Sequence, residues 1–96
     1  MRLSHTEQHA IRKIVAMADP SARVYLFGSR TNDTQRGGDI DLLVESQSID
    51  FSAKLALLAD IKAAIGDQKI DLVITKNLAA DSNPFVAAIR HEVIEL

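Results

Sequence analysis

Residues 39–45 read Asp39-Ile40-Asp41-Leu42-Leu43-Val44-Glu45. The run is rich in branched aliphatic side chains and predicts a strand, with Ile40, Leu42 and Val44 on one face. The two-residue alternation of a strand puts Asp39 and Asp41 together on the other face. Aspartate is depleted in strands, and two acids on one face repel each other. Folding alone does not favour this arrangement. A divalent cation removes the objection, because hard cations such as Mg²⁺ take carboxylate oxygens together with the oxygens of a triphosphate.

A second acidic strand follows. Residues 69–75 (KIDLVIT) place Asp71 between Ile70 and Leu72, where an apolar residue would cost less. If this strand pairs beside 39–45, then Asp39, Asp41 and Asp71 converge on one side of the sheet. Three carboxylates around a metal form a template for in-line phosphoryl displacement. The metal would activate the attacking oxygen and steady the charge on the transferred phosphorus and its leaving group.

Upstream, Arg23 to Phe27 (RVYLF) is β-branched and aromatic and predicts a short buried strand, broken by Gly28-Ser29. Glycine permits close backbone approach, and free amides at a following helical turn attract phosphate oxygens. The Ser29 hydroxyl adds one hydrogen bond. Residues 30–38 (RTNDTQRGG) are polar and end in two glycines, which marks a surface loop. Arg30 and Arg36 in that loop are within reach of a triphosphate; the plainer reading makes them solvated loop charges.

Three helices complete the chain. Ser4-His5-Thr6-Glu7 fits a capping box, and Ala10, Ile11, Ile14, Val15 and Ala18 recur at helical spacing until Pro20. Ser48 or Asp50 caps a second helix, in which Phe51, Leu55, Leu58, Ile61 and Ile65 form one apolar stripe of core packing up to Gly66. Asn83 with Pro84 starts a last helix, whose buried side is expected at Phe85, Ile89 and Val93. The order α-β-loop-β-α-β-α predicts an α+β fold: a small mixed β-sheet flanked by helices. Strand direction stays open at this stage.

The 96 residues predict one domain spanning 1–96. Eleven basic against thirteen acidic residues leave a net charge of −2 with no basic stripe, so no direct nucleic-acid binding is expected. Aromatics at 4% also supply too few faces for base stacking. No cysteine is present, which restricts any metal site to oxygen or histidine ligands. His5, His9 and His91 fall on exposed helix faces and read as surface or partner contacts. Tyr25 reads as core, and Glu45 as a strand-end surface acid. The polar start lacks the apolar centre of a signal peptide, and no apolar run approaches membrane-spanning length. The default expectation is a cytoplasmic protein that does not engage membranes.

Leu26-Phe27-Gly28-Ser29, nine residues, and then Asp39-Ile40-Asp41-Leu42-Leu43-Val44 resembles the signature of the DNA polymerase β-like nucleotidyltransferase superfamily. The nearest likeness is to its smallest branch, the minimal nucleotidyltransferases. It extends to Asp71 within Ile70-Asp71-Leu72-Val73 and to the Asn83-Pro84-Phe85 helix start. The resemblance implies a polymerase β palm-like fold with catalytic Asp39, Asp41 and Asp71. Asp39 and Asp41 would bind metal, and Asp71 would act with them on the attacking hydroxyl. Gly28 and Ser29 would hold the triphosphate. It also implies Mg²⁺ (or Mn²⁺), ATP as substrate and a HEPN-domain toxin as partner. In that setting the transferase is an antitoxin that moves AMP onto a tyrosine of the toxin. Homo- or hetero-oligomers fit the same picture.

Two features depart from the branch. The segment between Ser29 and Asp39 is one residue shorter than in many members, and Thr31-Asn32-Asp33 stands where many carry Ala-Arg-Gly. Both touch the loop and acceptor recognition and leave the metal acids intact. Two alternatives accompany this expectation: a non-catalytic module that masks a HEPN ribonuclease, and the catalytic subunit of a two-chain small-molecule nucleotidyltransferase.

Overall fold

The computed structural model describes residues 3–28, 40–66 and 68–96. Helix α1 (His5–Ala18) opens on the expected capping box. The Glu7 amide donates to Ser4 Oγ at 3.1 Å, and the Ser4 amide donates to Glu7 Oε1 at 3.0 Å. Two of the helix's free amides are thereby satisfied. Strands β1 (Arg23–Phe27) and β2 (Ile40–Glu45) follow. Helix α2 (Phe51–Ile65) is capped by Asp50, which accepts from the Ala53 amide at 2.8 Å. It stops at Gly66, where φ of +99° favours a residue without a Cβ. Strand β3 (Ile70–Thr75), helix α3 (Pro84–Ile89, capped by Asn83) and a two-residue strand β4 (Ile94–Glu95) complete the order.

The four strands lie in the order β3-β2-β1-β4. Strand β1 is antiparallel to both β2 and β4. Strands β2 and β3 are parallel, with α2 as the crossover between them. The main core fills the side covered by α1 and α2. There Leu26, Ile40, Leu42, Val44, Ile11 and Ile61 are all fully buried. The opposite face carries a smaller cluster of Tyr25, Phe27, Leu43 and Ile89 beneath α3. Strand β4, which the short Ile94-Glu95 pair hardly announces, pairs Glu95 with Tyr25 and Ile94 with Leu26. Its Glu95 meets the Arg23 guanidinium at 3.0 Å.

Two helical faces differ from expectation. In α2 the buried residues are Leu57 and Ile61, with Ala53, Leu58 and Ile65 partly covered. Phe51 is 71% exposed and Leu55 50% exposed. Leucines at 55, 57 and 58 make two overlapping stripes, and the sheet takes the one centred on the Leu57–Ile61 pair, four residues apart. Helix α3 is shorter than the pattern suggested, burying Val86 and Ile89 while Phe85 stays half exposed. Arg90 closes its end. The guanidinium donates to the Ala79 carbonyl at 2.7 Å and to the Asp81 carbonyl, so Val93 lies beyond the helix.

The end of the sheet where β2 and β3 finish is pinned by hydroxyl–carboxylate pairs. Buried Ser46 donates to Asp19 Oδ2 at 2.6 Å and accepts from the Ile49 amide at 3.1 Å. Buried Thr75 donates to Asp81 Oδ2 at 2.6 Å. The Ser46 hydroxyl, with the Ser21 amide, holds the Asp19 carboxyl below the ordinary carboxylate range. Thr75, with the Asn83 amide, does the same for Asp81. Glu45 accepts from the Leu78 amide at 2.7 Å, which makes it a loop anchor.

Two expectations follow. Ile61→Ala is expected to destabilise the fold by about 2–5 kcal/mol in urea titration, whereas Phe51→Ala should stay within about 0.5 kcal/mol. The pH dependence has a defined sign. Because Asp19 and Asp81 titrate lower in the folded chain than the usual value of 3.8, their contribution is complete above about pH 5 and is lost as pH falls through the folded values. The urea midpoint should drop between pH 5 and pH 3, and the drop should shrink in the Ser46→Ala, Thr75→Val double variant.

Candidate active site

The site forms where β1 ends and β2 and β3 begin. The β1–β2 register sets Phe27 opposite Asp41, and the β2–β3 register sets Asp41 opposite Asp71. Adjacent strands run about 4.8 Å apart, so the two aspartates are immediate neighbours on one face. That face belongs to α3, because Phe27, Leu43 and Val73 share it, while Ile40, Leu42, Ile70 and Leu72 turn into the main core. Asp71 is exposed and Asp41 partly buried. Two carboxylates at contact distance repel by between about 1 and 4 kcal/mol, depending on screening. Each of the leucines that enforce the register contributes about 1.5–3 kcal/mol on burial, so packing decides the geometry against the charge.

Gly28 follows directly after β1, with φ of +75°. A Cβ there would overlap Oδ2 of Asp41 and lie 3.1 Å from its carboxyl carbon. The glycine is thus required twice, once by its left-handed backbone and once by the carboxylate seated against it. An oxygen-only pair of carboxylates is a donor set that suits a hard divalent cation.

Of the residues singled out in the sequence, Gly28, Asp41 and Asp71 are brought together. Asp39, Ser29, Arg30 and Arg36 lie outside the described residues. Among the described residues no group of three or more His, Asp or Glu is gathered as a metal site. No helix is long and apolar enough to cross a membrane.

The structure adds neighbours that sequence reasoning had placed in the core. Phe51 and Leu55 from α2 and Phe85 from α3 stand around a hollow of about 640 Å³ that also takes in Asp41 and Asp71. Phe85 packs edge to face on Phe27, with ring centroids 5.8 Å apart and planes at 72°. The signal for them was the surplus of apolar residues in α2, more than one buried stripe can use. A polar hollow at the other end of the sheet is lined by Asp19, Glu45 and Ser46, whose oxygens are engaged by the internal hydrogen bonds described above.

The contact between Gly28 and Asp41 makes a double-mutant cycle informative. Gly28→Ala is expected to destabilise by about 1–3 kcal/mol, from the positive φ together with the clash. In an Asp41→Ala background the clash disappears, so the same substitution should cost less, with a coupling of about 0.5–3 kcal/mol. Additive losses in urea titration would show that Asp41 does not sit against this glycine.

Comparison with known proteins places the fold. The polymerase beta nucleotidyltransferase family matches residues 9–94. A crystal structure of a mutant toxin–antitoxin MntA-HpeT is similar at 25% identity with a TM-score of 0.68, over 93% of this chain and 69% of that one. A crystal structure of a toxin–antitoxin with AMP-PNP is similar at 26% identity with a TM-score of 0.71, over 92% and 70%. No curated protein matches. The match over nearly the whole chain and the two similar structures identify a minimal nucleotidyltransferase, and the chain belongs to the polymerase beta nucleotidyltransferase family.

Proposed function

We propose that this chain is an antitoxin that transfers AMP from ATP to a tyrosine hydroxyl of a HEPN-domain toxin partner. The observation that carries the reading is the register that holds Asp41 beside Asp71, next to a glycine with no room for a side chain. The two similar structures support the setting, since both are toxin–antitoxin proteins and one contains an ATP analogue.

In this reading Gly28 and Ser29 cradle the β- and γ-phosphates, and Arg30 and Arg36 neutralise them. Asp39, Asp41 and Asp71 hold Mg²⁺, or Mn²⁺ in its place. When bound, the cation supplies charge stabilisation at the phosphates. Asp71, the outermost acid, orients the acceptor and takes its proton. The acceptor oxygen forms a bond to the α-phosphorus, the bond to the bridging oxygen breaks, and pyrophosphate leaves toward the glycine turn. The chain works as a single domain in the cytoplasm, in a complex with its partner.

The test incubates the protein with α-labelled ATP, Mg²⁺ and a neighbour-encoded helical partner. Label should pass to the partner, and Asp41→Asn should lower the rate at least 10²-fold, within the range seen when electrostatic stabilisation is removed. Failure to label, or full neutralisation of the partner by an Asp39→Asn, Asp41→Asn, Asp71→Asn variant, would replace transfer with masking.

A further inference from the structure

Four consecutive residues of β3, Ile70 to Val73, line the hollow beside the acids. Val73 and Ile74 line a second hollow of about 370 Å³, which shares Phe51 and Lys54 with the first. A wall made by the face of a sheet shows every second residue of a strand. A wall that shows each residue in turn is the edge of the strand. The two hollows therefore form one trough along the outer side of β3, where the sheet order places no further strand.

The pairing with β2 says what that edge offers. The Ile40 amide donates to the Lys69 carbonyl at 3.0 Å, and the Ser46 amide to the Thr75 carbonyl at 2.9 Å. In a parallel ladder the residues whose backbone faces the neighbour alternate along the strand. Lys69, Asp71, Val73 and Thr75 thus turn their backbone groups to β2, and the amides and carbonyls of Ile70, Leu72 and Ile74 point into the trough. Natural edge strands are blunted by brevity, bulges or proline. Strand β3 pairs over six successive positions without a bulge and contains no proline. Donors and acceptors at this spacing are met by another extended chain. A helix cannot meet them, because its own backbone groups are bonded within it.

Charge selects the chain. Lys54 lines both hollows, and exposed Lys76 stands at the end of the trough away from Asp71. Among the described residues neither lysine is in an ion pair. Asp50, the acid nearest them in the second hollow, is engaged by the Ala53 amide as the cap of α2. A second copy pairing antiparallel about the middle of β3 would bring Lys54 against its own counterpart, which disfavours that occupant. We propose that the outer edge of β3 is a β-addition site, and that its occupant is an extended acidic segment of a partner protein. Backbone pairing runs through Ile70, Leu72 and Ile74. Carboxylates of the segment meet Lys54 and Lys76, and its apolar side chains cover the exposed Phe51, Leu55 and Phe85. The inference rests on backbone geometry and stands apart from the transfer reading of the acids.

The probe is an eight-residue peptide of alternating valine and glutamate with blocked ends. One control is methylated at every backbone nitrogen, and a second carries lysine in place of glutamate. Binding and amide hydrogen exchange are read from ¹⁵N spectra without nucleotide or metal, so failure here leaves the transfer reading untouched. In the free chain the amides of Ile70, Leu72 and Ile74 should exchange faster than those of Asp71, Val73 and Thr75. Saturating peptide should slow the three edge amides at least tenfold and leave the other three within twofold. Lys54→Gln with Lys76→Gln, its fold checked by thermal melting, should bind the peptide at least tenfold more weakly. No spectral change at millimolar peptide would overturn the proposal. So would equal binding by either control, an unchanged affinity of the double variant, or protection that appears away from β3. Edge amides already protected in the free chain, together with a dimer in sedimentation, would give the edge to a second copy and overturn the assignment to a partner.

Discussion

Everything at this end of the molecule depends on the parallel pairing of β2 with β3. Hydrogen bonding between those strands sets Ile40 against Ile70, Asp41 against Asp71 and Leu42 against Leu72. A slip of one residue would turn Asp71 into the main core and Leu72 out of it, so the apolar alternation protects the acidic pair as strictly as it protects the core. The repulsion between the acids is smaller than the burial that opposes it. The fold therefore keeps the two acidic side chains side by side on the α3 face of the sheet.

The second constraint is space. Gly28 leaves β1 in a conformation that L side chains rarely adopt, and the position its Cβ would take is occupied by the Asp41 carboxylate. Backbone and carboxylate thus share a region that only glycine leaves open. At the far end of the sheet, Ser46, Thr75 and Arg90 fasten the loops that follow β2 and β3. Chemistry sits at one end of the strands and anchorage at the other.

Much of this was legible in the residues. Alternation in 39–45 and 69–75 told which face Asp41 and Asp71 occupy, because period two leaves no freedom once the apolar set is buried. The capping box at Ser4, the Asp50 cap and the Gly66 stop were also readable, since each rests on contacts within a few residues. The parallel direction of β3 was not, because it depends on how α2 crosses the sheet. The faces of α2 and α3 were misjudged for a related reason. A helix with leucines at 55, 57 and 58 offers two stripes, and only the partner surface chooses between them. The choice matters, because it turns Phe51 and Leu55 from core into the wall of the hollow beside Asp71. Strand β4 was missed because two residues carry no periodicity; it is held by pairing with β1 and by the Arg23–Glu95 contact.

The central claim is that Asp41 and Asp71 share one divalent cation in the presence of ATP. Paramagnetic broadening measures it directly, by titrating Mn²⁺ into the ¹⁵N-labelled protein with ATP and following the backbone amides. The account predicts that the signals of Gly28, Asp41 and Asp71 broaden first, and that Asp41→Asn abolishes this selectivity. Broadening that starts instead around Asp19 and Glu45, at the opposite end of the sheet, would contradict it.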